Sequence, residues 1–273
     1  QSCVDIDTLF HLAGYAHVAD ANCASAAGIH RRLTVEGTRA LLEEAQRARV
    51  RRFIFASSVK AMGEYAEEYV DESVVAAPVS EYGRAKLEAE QIVLAHGREY
   101  GMHVCVLRLP LVYGPGAKGN LLQMMRAIDH GWFLPLPKVY NRRSMIHVDD
   151  VAMAMRLVAE NPKANGEIYL LTDGQTYSTQ DIYVLISSAL GKVESKLRIP
   201  LSLLQVGATL GDLIGKVRKQ PFLFNTDALN KLIGSAWYSS DKIKRDLNFK
   251  PTHTLETALP AMVDNYRRLS TSS

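Results

Sequence analysis

The sequence predicts an α/β protein: a doubly wound parallel sheet, followed by a smaller α/β unit toward the C-terminus. Three observations point there. Between residues 7 and 107, apolar runs of strand length alternate with segments of helical period. The runs are apolar on successive residues, as expected of parallel strands covered on both faces. After residue 109 the rhythm changes to a Gly/Pro loop and then mainly to helices.

The elements follow in order. Asp7-Thr-Leu-Phe-His-Leu-Ala-Gly14 reads as a buried strand ending in a small-residue turn. Ile29, Leu33, Gly37, Ala40, Leu41, Ala45 and Ala48 recur at helical spacing. Phe53-Ile-Phe55 is a strand that runs into Ser57 and Ser58. Tyr82, Ala85, Ala89, Ile92 and Val93 mark the next helix, and His103-Val-Cys-Val-Leu107 the next strand. Pro110, Gly114, Pro115, Gly116 and Gly119 make a loop. Helices are expected over Asn120–His130 and Val151–Ala159, then a strand over Glu167–Leu171. Ser178 or Thr179 is placed to cap a helix ending at Gly191. Shorter helices follow at Thr226–Ile233 and Ser240–Leu247, and a last one ends near Leu269. The βαβαβ rhythm of the first part implies helices on both faces of the sheet.

Hydrophobic residues make up 47% and charged residues 22% of the 273 residues, an ordinary balance for a globular enzyme. A formal net charge of +3 without a Lys/Arg run argues against a nucleic-acid partner. Cys3, Cys23 and Cys105 have no metal-ligand spacing and form no disulfide framework, so no metal is expected. Such cysteine usage fits a reducing, cytoplasmic setting. Leu201 to Val217 is the most apolar stretch, but Ser202, Gln205, Asp212 and Lys216 interrupt it, short of the ~18 apolar residues of a span. Its glycines, Gly207, Gly211 and Gly215, stand four apart. They are read as a helix packed closely on a neighbour, and no membrane partner is expected.

The strongest chemical motif is Tyr82-Gly-Arg-Ala-Lys86. On a helix, positions i and i+4 share a face. A lysine beside a phenol is expected to favour the phenolate and lower its pKa, as a proton-transfer group near neutral pH requires. A surface helix pair has the same spacing. Position favours catalysis: the motif opens a helix after the strand ending in Ser57-Ser58, where the C-terminal edge of the sheet would lie. A dinucleotide fold should also carry a Gly-rich fingerprint in its first βα turn, and none is found; Gly14 has no partners at the right spacing. Either the fold does not bind dinucleotides or its first units are missing, and a first residue of Gln rather than Met favours the second.

Several motifs stand in one order: His11-Leu-Ala-Gly14, Val35-Glu-Gly-Thr38, Phe55-Ala-Ser-Ser58, Tyr82-x-x-x-Lys86, Arg108-x-Pro-x-Val-Tyr-Gly-Pro-Gly116 and Arg143-Ser-Met-Ile-His-Val-Asp-Asp150. Together they resemble the NAD-dependent epimerase/dehydratase family of extended short-chain dehydrogenases/reductases, near its UDP-glucose 4-epimerase branch. The resemblance covers nearly the whole chain. It implies a Rossmann-like fold lacking the glycine fingerprint, the acidic ribose ligand and the adenine-side segment, roughly sixty residues or two βα units. It also implies a dinucleotide-binding domain over 1–114 and 144–172, with 115–143 and 173–273 mainly a substrate domain.

The resemblance assigns roles as well. Tyr82 would be the acid/base and Lys86 its partner, also holding the nicotinamide ribose. Ser58 would bond the reacting sugar hydroxyl. Ala13, Gly14 and Ser57 would line the cofactor, which would be NAD, with NADP left open. Asn120 would sit near the nucleotide and Arg143 would clamp the diphosphate, while Arg142 reads as a solvated loop residue. His17 could reach the site from its loop, although a lone loop His is more often structural. His147 reads as a satisfied core residue. The substrate would be a nucleotide sugar, UDP-linked in the first reading. The activity would be 4-epimerisation through transient oxidation at C4. A one-way 4-ketoreductase or dehydrogenase is the alternative, and a non-catalytic dinucleotide-binding regulator is a third reading. A homodimer through the helices near Ile29–Ala48 and Tyr82–Ala95 is implied.

The chain departs from the family pattern at Thr34, Met62 and Leu111, which stand where asparagine, tyrosine and asparagine are usual, and this leaves the sugar unassigned. Dehydratases of the family carry an Asp-Glu pair directly after the strand-end hydroxyl residue. Here Val59 and Lys60 follow Ser58.

Overall fold

The computed structural model describes residues 5–14, 28–63, 69–133, 137, 139–194, 199–218, 222 and 224–271, except the side chains of Val217 and Lys231. Cys3, His17 and Cys23 lie outside the described residues. Four strands form a parallel sheet in the order β1 (Thr8–His11), β2 (Arg52–Ser58), β3 (His103–Leu109) and β6 (Glu167–Leu170). β4 (Leu111–Tyr113) and β5 (Met145–His147) pair in parallel as a second, two-stranded sheet.

The central strands show why the sequence folds this way. Residues 53–57 of β2 and 104–108 of β3 are all buried, and their side chains divide by parity. Phe53, Phe55, Val104 and Val106 meet Leu42 and Ala45 of α1 (Gly37–Arg47) and Ala89 and Val93 of α2 (Glu81–Tyr100). Ile54, Cys105 and Leu107 face the other way, onto Val151, Ala154 and Val158 of α4 (Val148–Glu160) and Ile243 and Leu247 of α8 (Asp241–Leu247). Each strand thus feeds two cores, which is why it reads as a continuous apolar run. Residues Arg31–Glu36, just before α1, form a wider i→i+5 turn of helix.

The other half is helical. α3 (Asn120–Asp129), α5 (Thr179–Leu190) and α9 (Leu255–Thr271) enclose a separate core that includes Met125, Ile182, Ile186 and Leu259. Ser178 caps α5 in a reciprocal capping box with Asp181. α6 (Leu201–Arg218) packs on α7 (Thr226–Ile233) through Leu204, Ala208 and Leu229. Among the described residues after β6, extended chain contributes single bridges, Arg143 to Tyr177 and to Ala236, and Val70 to Tyr238. The last ties the helical part to the loop after β2, and the other two tie it to the segment before β5.

α2 is the element that positions the site. Ser80 caps it by accepting from the Gly83 amide at 3.1 Å, and Gly101 ends it in the left-handed region at φ 67°. Two of its residues have to be glycine. A Cβ at Gly83 would lie 2.3 Å from the Lys60 carbonyl oxygen, and one at Gly97 2.3 Å from a Val104 methyl. The helix therefore lies close against both the turn after β2 and the start of β3. Its register is set by a buried ion pair: Arg108 of β3 (4% exposed) grips Glu90 of α2 (1% exposed), donating Nε at 3.1 and 3.2 Å and Nη2 at 2.7 Å. Ser57 of β2 donates its hydroxyl to the same carboxylate.

Removing one side of such a pair strands the other charge in the core. Glu90→Gln is expected to lower unfolding stability by about 3–5 kcal/mol, measured by urea denaturation. Glu90→Gln combined with Arg108→Met should recover much of the loss; an unrecovered loss would mean that the pair does not set the helix register.

Candidate active site

Tyr82, Lys86 and Glu90 form an i, i+4, i+8 stripe on the face of α2 turned to β2. Glu90 anchors the lower end of this stripe. The upper end reaches the C-terminal edge of the sheet, where β2 finishes at Ser58. There the Ser58 side chain caps the turn Val59–Ala61, accepting from the Lys60 amide at 3.2 Å, and hydrogen-bonds the Tyr82 phenol. Ser58 and Tyr82 thus meet at this edge, and Lys86 lies one turn along α2 from Tyr82.

Lys86 is 3% exposed, an unusual position for a cation. Its ammonium donates to the Ala56 carbonyl at 2.8 Å and lies 4.6 Å from the centre of the Phe55 ring. Burial pulls its pKa down to about 8, and the charge of Glu90 partly offsets this. The other side of the ammonium is the end of β1: a Cβ on Gly14 would come within 3.1 Å of Nζ. Ala13 and Gly14 are themselves exposed.

The expectation for Tyr82 is corrected here. Its pKa is raised rather than lowered, because burial of the phenol outweighs the hydrogen bond from Ser58. The Lys86 ammonium is committed to the Ala56 carbonyl instead. In this state Tyr82 is a phenol poised as an acid.

Two neighbours were not read from the sequence as part of the site. His11 is buried and stacks on Phe55, with ring centres 5.3 Å apart. Thr38 gives its hydroxyl proton to the Thr34 carbonyl at 2.5 Å, so His11 Nε2 is the donor in its 2.9 Å bond to Thr38. Burial, and then the charge of Lys86, lower the His11 pKa to about 4, so the ring is neutral near pH 7. His30 meets the Tyr82 ring edge-on at 5.7 Å. His11 opens the motif His11-Leu-Ala-Gly14 without a role of its own, and His30 stands in no motif.

The other assigned residues fall elsewhere. The Ser57 hydroxyl is engaged with Glu90, so its side chain belongs to the internal ion-pair network. Asn120 opens α3 and is exposed. Arg143 is half-buried on the segment that pairs with Tyr177, its pKa lowered by burial. Arg142 is exposed but not simply solvated: its guanidinium lies 4.3 Å over the Trp237 ring. A cleft of about 660 Å³ opens on that side, lined by Arg142, Asn141, Ser178, Gln180 and Trp237 among others, and none of the trio lines it. His147 is buried as expected, accepting from the Asp149 amide at 3.2 Å and stacking on His253.

The buried ammonium has a measurable cost. The Lys86 pKa is depressed in the fold, so its penalty is fully present below pH 8 and disappears as pH rises toward 10.5. Lys86→Met is therefore expected to be more stable than wild type by about 2 kcal/mol at pH 7, with the difference closing by about pH 10.5. Paired urea titrations across that range check this, and a pH-independent difference would contradict it.

Comparisons with known proteins bear on the fold and the family. The model of the NAD dependent epimerase/dehydratase family matches residues 2–172. UDP-glucose 4-epimerase of Vibrio cholerae is 30% identical over 250 residues, covering 90% of this chain and 72% of the relative. dTDP-glucose 4,6-dehydratase of Streptomyces niveus is 31% identical over 188 residues, covering 68% and 55%. In three dimensions the fold is similar to UDP-glucose 4-epimerase of Thermotoga maritima, solved with UDP-glucose, with a TM-score of 0.74 at 23% identity, over 97% of this chain and 78% of the other. The chain belongs to the NAD-dependent epimerase/dehydratase family of enzymes.

Proposed function

We propose that the chain is a nucleotide-sugar 4-epimerase acting at C4 of a UDP-hexose. The observation that carries this reading is the junction of Ser58, Tyr82 and Lys86 at the end of β2, with Gly14 facing the ammonium across it. The residues present fit the nicotinamide end of NAD: Gly14 leaves the backbone bare beside Lys86, and Lys86 and Tyr82 offer polar groups to a ribose. When bound there, NAD would supply the acceptor and later the donor of the C4 hydride.

The chain's own residues manage the proton and the orientation. Tyr82 Oη, once its own proton has left to solvent, takes the proton of the C4 hydroxyl on oxidation and returns it on reduction. Ser58, already bonded to Tyr82, holds the same sugar oxygen in line. Lys86 keeps a positive charge near the phenolate as it forms. Arg143 clamps the diphosphate, where a planar guanidinium suits two-point contact, and Asn120 lies near the nucleotide. A homodimer through the helices at Ile29–Ala48 and Tyr82–Ala95 completes the reading.

Dehydration of the sugar is not part of it. After Ser58, the Val59 side chain is buried with Met62, Val70 and Tyr238, and Lys60 is a cation, so neither position offers a carboxylic acid. Incubation with UDP-glucose, UDP-galactose and their N-acetylated forms, followed by NMR, should give the C4 epimer of at least one. A 4-keto-6-deoxy product, or no turnover on any nucleotide sugar, would overturn the reading.

Tyr82→Phe removes one oxygen and leaves the ring. Turnover should fall by about 10²- to 10⁴-fold, while KM and thermal stability stay near wild type. Arg143→Ala should weaken nucleotide-sugar binding by about 2 kcal/mol, and Arg142→Ala much less, because successive residues of an extended segment point to opposite sides. Equal losses measured by calorimetry would remove Arg143 from the clamp.

A further inference from the structure

α6 has two faces, and among the described residues only one is packed. Leu204 and Ala208 are buried against α7, and a Cβ at Gly211 would lie 1.9 Å from the Phe224 carbonyl oxygen, so Gly211 serves internal packing. Asp212, the acidic residue of this helix, is also turned inward, bonded to Thr226 of α7. The opposite face carries Leu203, Val206, Leu210 and Leu213 at i, i+3, i+7 and i+10, flanked by Ile214. These five side chains are 41–61% exposed. An apolar stripe this long is not ordinary surface.

The charge around it is equally uneven. Residues 192–231 hold seven Lys/Arg and three Asp/Glu, a net +4, whereas the whole chain is +3. In sequence, the positive excess thus falls in the forty residues that include this helix; of these cations Lys192 is paired with Asp129, and Lys216 and Arg218 stand in the last turn of the helix. A second copy of the helix would need flanking charges to set a register, yet the positions beside the stripe are Ser202, Gln205 and Thr209. An exposed apolar stripe within a cationic segment is complementary to an anionic bilayer surface.

We infer that α6 is a membrane-docking helix, which lies in the headgroup region of an anionic phospholipid surface with Leu203, Val206, Leu210 and Leu213 inserted. Among the described residues no helix is long and apolar enough to cross a membrane, so this attachment is peripheral. It revises the expectation that the chain has no membrane partner. It does not depend on the reaction at Tyr82.

Vesicle co-sedimentation tests it. The protein should bind vesicles containing about 30 mol% phosphatidylglycerol at least about tenfold more tightly than pure phosphatidylcholine vesicles, and several-fold less at high salt. Leu203→Ser/Leu210→Ser/Leu213→Ser should abolish binding with an unchanged thermal transition, since these side chains are exposed. Should that variant unfold, Lys216→Glu/Arg218→Glu is the second probe, and it should lose the preference for the anionic vesicles. The inference is overturned if wild type fails to bind phosphatidylglycerol vesicles, or if a folded variant binds as wild type does. It is equally overturned if the triple substitution dissolves a concentration-dependent dimer of a protein that ignores both vesicles, which would make a second copy the occupant.

Discussion

The buried carboxylate of Glu90 connects three elements. It receives the Arg108 guanidinium from β3 and the Ser57 hydroxyl from β2, and it belongs to α2. Nonpolar packing alone would let α2 slide or rotate over the smooth apolar surface of Phe53, Phe55, Val104 and Val106. A charged, directional contact in the core does not permit that, because any displacement leaves an ion desolvated and unpaired. One turn up from this anchor is Lys86, and one turn further is Tyr82. The close approach at Gly83 completes the constraint by pressing the first turn of α2 onto the turn after Ser58.

The same arrangement explains the electrostatics of the site. Lys86 is forced into a place where only a carbonyl, an aromatic face and a distant carboxylate compensate its charge, and its proton is loosened accordingly. His11, next to it, stays neutral, so no second cation competes for the same space. Burial raises the pKa of Tyr82, so the phenol must lose its proton before it can act as a base. The site is thus less stable than an apolar replacement would be, a pattern common where chemistry needs a strained ionisation state.

Much of this was legible in the sequence, for reasons that can be named. The apolar runs in β2 and β3 follow directly from burial on both faces, and the Tyr-x-x-x-Lys spacing brings its two residues onto one helix face. What escaped reading depends on register between elements. Glu90 looks like any helical carboxylate until α2 is laid across β3, and Ser57 was assigned to the cofactor because its strand position says nothing of which way its hydroxyl turns. The direction of the Tyr82 shift was misjudged because a motif carries spacing but not burial. In α6 the glycines read as packing, and Gly211 lies against the Phe224 backbone. The leucine stripe on the other face went unseen because the two patterns overlap along one sequence. Arg143 and Asn120 owe their assignment to family resemblance, and their part in the site is a proposal.

The central proposal is that bound NAD takes the C4 hydride and returns it without releasing the hydrogen, while the trio at the end of β2 moves the proton. A UDP-hexose deuterated at C4 tests this most directly, read by NMR and mass spectrometry of the product. The account predicts an epimer with inverted C4 that retains its deuterium in full. Loss of the deuterium from the sugar, with a keto product accumulating or an exchanged epimer forming, would contradict it.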